Sequence, residues 1–189
     1  NSGGGIMKGF VRKNQLLSLC GLNCGLCPMF IGKYCGGCGN GNQSCGIARC
    51  SLEQGKIEYC YECEKYPCDR YLHIDEYDSF ITHRRQKLEL ERARNIGIEA
   101  YNLEQEEKAW ILEDLLAHYN DGRRKTFFCL AVNLLELPEL REALSQIKEE
   151  ADLDELSDKE KSRHAADVLK RIAAEQKIEL RLRKKGCQS

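Results

Sequence analysis

Cys20-Gly21-Leu22-Asn23-Cys24-Gly25-Leu26-Cys27-Pro28, then Cys35-Gly36-Gly37-Cys38-Gly39, then Cys45-x4-Cys50, then Cys60-Tyr61-Glu62-Cys63-Glu64-Lys65-Tyr66-Pro67-Cys68 place ten of the chain's 12 cysteines within 49 residues. Three of these spacings are Cys-x2-Cys. Two intervening residues let a tight turn aim both sulfurs at one ion, about 2.3 Å away for zinc. Glycines at and after the turns, Gly36, Gly37 and Gly39 above all, permit positive φ and let backbone N–H groups approach the sulfurs.

Disulfides are the main alternative for so many cysteines in so short a stretch. The repeated two-residue spacing argues against them. So does the lead sequence, which has no charged stretch followed by an apolar core; no secretory leader is expected. Energy favours metal as well. Aliphatic side chains between Cys20 and Cys68 amount to little more than Leu22, Leu26, Met29, Ile31, Ile47, Leu52 and Ile57. A segment this small rarely stabilises itself by burial alone. A structural zinc site contributes an apparent 10–16 kcal/mol, roughly, much of it expressed as folding, against a domain's usual total of about 5–15 kcal/mol.

The candidate ligands are therefore Cys20, Cys24, Cys27, Cys35, Cys38, Cys45, Cys50, Cys60, Cys63 and Cys68, for two or more zinc ions. Their pairing stays open. Sequential pairing groups Cys24, Cys27, Cys35 and Cys38 on one ion and Cys45, Cys50, Cys60 and Cys63 on another. Interleaved pairing exchanges the middle pairs. Both leave Cys20 and Cys68 over. A four-cysteine site beside a two-zinc, six-cysteine cluster would use all ten, and His73 is a weaker further candidate. An iron–sulfur cluster is the alternative cofactor. Cys20-x3-Cys24-x2-Cys27 has the spacing of radical S-adenosylmethionine enzymes, but the strand–helix alternation of their barrel is missing. The bacterial ferredoxin run is missing too.

Charge bears on the partner. In this segment Lys33, Arg49, Lys56 and Lys65 balance Glu53, Glu58, Glu62 and Glu64. Thiolates around zinc would leave it acidic, whereas DNA-reading zinc fingers present basic helices. Nucleic acid is accordingly not the expected partner, and a protein is. Basic clusters at Arg84-Arg85, Arg123-Arg124-Lys125 and residues 181–185 read as solvated helix faces or a tail.

Taken together, the cysteine string, with Glu58-Tyr59 before Cys60, resembles a prokaryotic cysteine-rich family of domains of unknown function. The likeness spans residues 16–80 and extends more loosely through Tyr77-Asp78-Ser79-Phe80-Ile81-Thr82-His83. It implies a zinc module with an attached helical region and no established reaction. Residues from about 149 onward lie outside it.

Beyond residue 75 the composition turns to Leu, Glu, Lys and Arg with helical periodicity. A helix is expected over 76–95, with Phe80, Ile81, Leu88 and Leu90 among charges and Gly97 as its stop. Another is expected over 104–119, on Trp110, Ile111, Leu112, Leu115, Leu116 and Tyr119. Residues 123–135 carry Phe127, Phe128, Leu130, Ala131, Leu134 and Leu135 and read as the most buried helix, with Cys129 a structural thiol. Pro138 opens the next, facing Leu140, Leu144 and Ile147 inward. Ser157-Asp158-Lys159-Glu160 is a capping box ahead of Val168, Leu169, Ile172 and Ala173. Residues 178–183 alternate apolar and charged, the period of a strand, with 57–59 or a second chain as partner, or else a continued helix end.

The 189 residues carry 29 Lys+Arg against 30 Asp+Glu, so no global charge points to nucleic acid or an acidic membrane. No run of about 18 apolar residues is long enough to span a bilayer. Asn1–Ile6 reads as a vector-derived or disordered lead. Cys187 reads as a free thiol in a basic tail. No Gly-x-Ser-x-Gly, phosphate loop or His-Glu-x-x-His occurs, and His83, His118 and His164 share no motif. The expected architecture is mainly α: a lead at 1–19, an irregular Cys-rich zinc-knuckle module of short hairpins and loops at 20–75, and a helical domain at 76–189. The expected role is a zinc-binding protein of the cytoplasm with a helical interaction domain. A redox or metal-handling protein with labile zinc or an iron–sulfur cluster, or a hydrolase with an open zinc position, are the alternatives.

Overall fold

A computed structural model of the chain describes residues 7–149 and 155–186. It is mainly helical. The elements are α1 (Pro28–Ile31), α2 (Gly46–Glu53), α3 (Gln86–Ile96), α4 (Ile98–His118), α5 (Lys125–Leu134), α6 (Leu137–Glu149) and α7 (Asp158–Glu175), with 3-10 turns at Cys24–Leu26, Cys60–Glu62 and Asp69–Tyr71. No strand occurs among the described residues, so the expected short hairpins of the Cys-rich segment are absent there. Turns replace them because two of the three Cys-x2-Cys pairs close their own local hydrogen bond. Cys27 N–H donates to the Cys24 carbonyl at 3.0 Å and Cys63 N–H to the Cys60 carbonyl at 3.1 Å, which leaves no run long enough for a ladder.

The main core gathers α4, α5, α6 and α7 around Ile111, Leu112, Leu115, Phe128, Leu140, Ile147, Leu169 and Ile172. Residues Phe128–Leu134 of α5 are buried without interruption, as the sequence of that helix leads one to expect. Trp110 departs from expectation: it is exposed, with the Lys148 ammonium 5.7 Å from its ring centroid. Helix α7 begins as its capping box specifies. Ser157 Oγ accepts from Glu160 N–H at 3.4 Å, and Glu160 Oε2 accepts from Ser157 N–H at 2.9 Å.

The expected helix at 76–95 starts only at Gln86. Upstream, the Asp78 carboxylate captures the backbone. It accepts from His83 N–H at 2.7 Å and from the Thr82 hydroxyl at 3.2 Å, offering that stretch a non-helical set of partners. The same carboxylate accepts from Arg183 N–H at 2.7 Å, and Asp78 N–H donates to the Arg183 carbonyl at 2.8 Å. Residues 178–183 are thereby held as an extended strap, not a strand. Arg84 fastens it further by donating to the carbonyls of Glu179 at 2.7 Å and Arg181 at 2.8 Å. The lead at Asn1–Ile6 and Cys187 lie outside the described residues.

Two smaller cores tie the Cys-rich segment to its neighbours. Leu17, Tyr59 and Tyr71 pack with Leu90, Ala93 and Tyr101 of α3 and α4. Met7, Phe10, Leu19 and Ala48 form the other, with Cys38, Cys45 and Cys60 against them. Buried aromatics and the lead residues therefore supply much of the apolar burial that the aliphatic inventory of residues 20–68 lacks. Leu26 reaches into the main core, where Asn133 Nδ2 donates to its carbonyl at 3.3 Å. The α3 helix starts hard against Gly21, at φ 97°, where a Cβ would lie 2.3 Å from the Gln86 carbonyl oxygen. Only glycine fits that approach.

Candidate metal centre

Local turns set most of the candidate ligands, and α2 sets two. Cys24 opens the first 3-10 turn and Cys27 closes it, just ahead of Pro28 at the start of α1. Cys60 and Cys63 occupy the same two positions of the second turn. Cys27 and Cys63 match in backbone, at φ −85° and ψ 131° against φ −82° and ψ 133°. Cys35 and Cys38 flank Gly36-Gly37, and Gly37 and Gly39 take positive φ of 91° and 78°, the freedom expected of that loop. Cys45 precedes α2 and Cys50 lies within it. Cys68 precedes the Asp69–Tyr71 turn.

These turns bring the thiols into two neighbourhoods. Cys50, Cys60, Cys63 and Cys68 line one cavity of about 30 Å³, whose remaining wall includes Ile47, Ile57, Tyr66 and Tyr71. The second neighbourhood is electrostatic. Cys24 lies within interaction range of Cys20, Cys38, Cys27 and Cys35, and Cys38 within range of Cys20 and Cys45. The charge on Cys20 also bears on Cys60. Every described cysteine is free of disulfides. Among the described residues no three His, Cys, Asp or Glu side chains are already gathered as a metal-binding group.

Burial governs the chemistry of these sulfurs. It pushes the Cys38 thiol up to about 11 and the Cys60 thiol to about 12, with neighbouring thiols adding to it. Cys20 and Cys24 are raised for the same reason. Thiols so placed stay protonated and poorly nucleophilic at neutral pH. A divalent cation reverses that preference, because it stabilises several thiolates at once.

Sequence reading missed the polar groups that address the sulfurs. Ser18 Oγ lies 3.3 Å from Cys20 Sγ. Gln86 Nε2 donates to the Cys20 carbonyl at 3.1 Å. The Tyr71 hydroxyl donates to that carbonyl at 3.4 Å, and Tyr71 lines the same cavity as Cys60. The available signal was position: Tyr71 follows Cys68 by three residues, one 3-10 turn on. His73 instead pairs with Glu76 at 2.5 Å on the surface, and His83 with Ser79 and the Ile74 carbonyl. Cys129 is buried in the main core, as expected.

Other cavities offer no comparable chemistry. One of about 730 Å³ opens between α5 and the strap. Another, about 340 Å³, lies where α3, α4 and α6 meet; Arg92 pairs there with Glu104, Arg141 with Glu107, and Arg85 with Glu89 and Glu136, while the buried Lys108 ammonium donates to the Leu135 carbonyl at 2.8 Å. No described helix is long and apolar enough to cross a membrane. Comparison with known protein families, with curated proteins and with solved structures finds no match to the chain.

Proposed function

We propose that the chain is a zinc-binding protein in which residues 20–75 form a multi-cysteine structural metal module and the helices from residue 76 form an interaction domain for a protein partner. The observation that carries this reading is the crowding of ten unpaired thiols on a few tight turns, four of them around one small cavity. The donor set suits zinc, a borderline-soft ion that favours thiolate sulfur and tetrahedral closure. Cys20, Cys24, Cys27, Cys35, Cys38, Cys45, Cys50, Cys60, Cys63 and Cys68 would hold the ions. Zinc would supply charge compensation and cross-linking in place of apolar burial. The resemblance to the prokaryotic cysteine-rich family leads to the same reading, and free thiols accord with a reducing cytoplasm.

Metal analysis of freshly reduced protein tests it. Two or more zinc ions per chain in a colourless sample are expected. Fewer than one zinc per chain contradicts the reading, and a brown, iron-containing sample supports an iron–sulfur protein instead.

A further inference from the structure

We propose that Cys50, Cys60, Cys63 and Cys68 are the four ligands of a single closed zinc site that fastens α2 to the 60–71 loop. This rests on the zinc reading above and adds what spacing alone leaves open. Both the sequential and the interleaved pairings leave Cys68 over; here Cys68 is a ligand, and Cys45 belongs with the other thiols.

Three observations converge on this quartet. The four side chains line the same cavity, and its volume of about 30 Å³ admits one small ion and no organic substrate. Cys60 opens and Cys63 closes one 3-10 turn, so a single turn carries two of the four cysteines. The groups around the cavity also suit a tetrathiolate, whose net charge with zinc is negative. Tyr71 and Arg70 both line the cavity, each bringing a proton donor to its wall. Ile47, Ile57 and Tyr66 form apolar wall, which excludes water and suits a closed site over one with an open position. No three of these side chains are already gathered as a metal-binding group; a cysteine side chain has a single rotatable torsion, so χ1 is the freedom by which the site would close. Each thiol gives up its proton to solvent as its sulfur binds the ion; no oxidant or reductant is needed.

The test compares the full-length wild-type chain with Cys68→Ser and Cys45→Ser, each purified reduced and supplied with zinc, with bound metal counted per folded chain. The quartet predicts that Cys68→Ser loses one zinc and that Cys63→Ser/Cys68→Ser loses no more than Cys68→Ser alone. Unchanged zinc in Cys68→Ser, with one zinc lost in Cys45→Ser, overturns the quartet while leaving zinc binding intact. A wild-type chain without zinc overturns the underlying reading instead. Should the variants not fold, the wild type is treated with a weak chelator and alkylated in a short pulse, and the modified cysteines are mapped by mass spectrometry. Cys50, Cys60, Cys63 and Cys68 becoming reactive together supports the site. Cys68 reacting before any zinc is released, with Cys45 joining Cys60 and Cys63 afterwards, contradicts it.

Discussion

Tyr71 donates its one hydroxyl proton to the Cys20 carbonyl at 3.4 Å and lines the same cavity as Cys60. Once Cys60 is a thiolate the hydroxyl should turn its hydrogen bond to that sulfur, since a hydrogen bond to a charged acceptor is the stronger. Removing the hydroxyl in Tyr71→Phe should weaken zinc binding by about tenfold, the lower end of what such supporting groups contribute, while circular dichroism stays that of the wild type. Unaltered affinity in a competition titration would assign Tyr71 to packing alone. Gly21 is a second position governed by one atom. Gly21→Ala forces a Cβ onto the Gln86 carbonyl at a positive φ and should cost at least about 1 kcal/mol in denaturant unfolding. Tolerance of alanine there would show that α3 can move away from the loop. The candidate ligands could be named from spacing because two residues between cysteines fix a turn. The third and fourth partners of each pair could not, because they come from other turns and depend on how α2 and the 60–71 loop are docked.

Among the elements, α5 and α7 were legible because the local signals agree with the tertiary ones: continuous apolar burial in α5, and reciprocal capping at Ser157 and Glu160 in α7. Ser157→Ala should lower stability by about 1 kcal/mol, the usual worth of an N-cap side chain, and Ser157→Gly by only a few tenths. Equal losses in thermal unfolding would mean the cap is not what holds that end. The stretch before α3 was misread as helix because its periodicity says nothing of the competing Asp78 carboxylate. Burial works to raise the Asp78 pKa, but the Arg183 and His83 amides and the Thr82 hydroxyl outweigh it, and the carboxyl titrates below its usual value. A depressed folded pKa contributes stability above the ordinary aspartate value of about 3.9, and loses it as pH falls through the folded value. Acidification should therefore loosen the strap, and Asp78→Ala at pH 7 should do the same. In hydrogen exchange the Arg183 amide should speed up about tenfold, the equivalent of one charge-assisted hydrogen bond, while the α5 amides are unmoved. An unchanged Arg183 amide would mean that Arg84 and the backbone bond from Asp78 N–H hold the strap without the carboxylate.

At the scale of the whole molecule, the distribution of buried side chains separates the proposed metal module from the helices that have a core of their own. The main core lies almost entirely within α4, α5, α6 and α7. The Cys-rich stretch offers Leu26, Cys27, Ala48, Tyr59 and Tyr71 as its buried apolar side chains, with the lead residues Met7, Phe10, Leu17 and Leu19 beside them. Tyr101 joins the two parts, its hydroxyl 2.9 Å from Asn23 Oδ1 and 2.7 Å from Glu89 Oε2. Stripping zinc with a strong chelator should raise amide exchange across residues 20–71 while the helices from α4 onward keep their protection. Uniform loss of protection would mean that the metal sites and the main core unfold as one unit. The central claim is that thiolates gathered on divalent ions give residues 20–68 their shape. Anomalous scattering at the zinc edge from a crystal of the full chain tests it most directly. The expected map has a zinc peak among the sulfurs of Cys50, Cys60, Cys63 and Cys68 and at least one more among the remaining six. Sulfurs joined to one another in disulfides, with no anomalous peak between them, would contradict it.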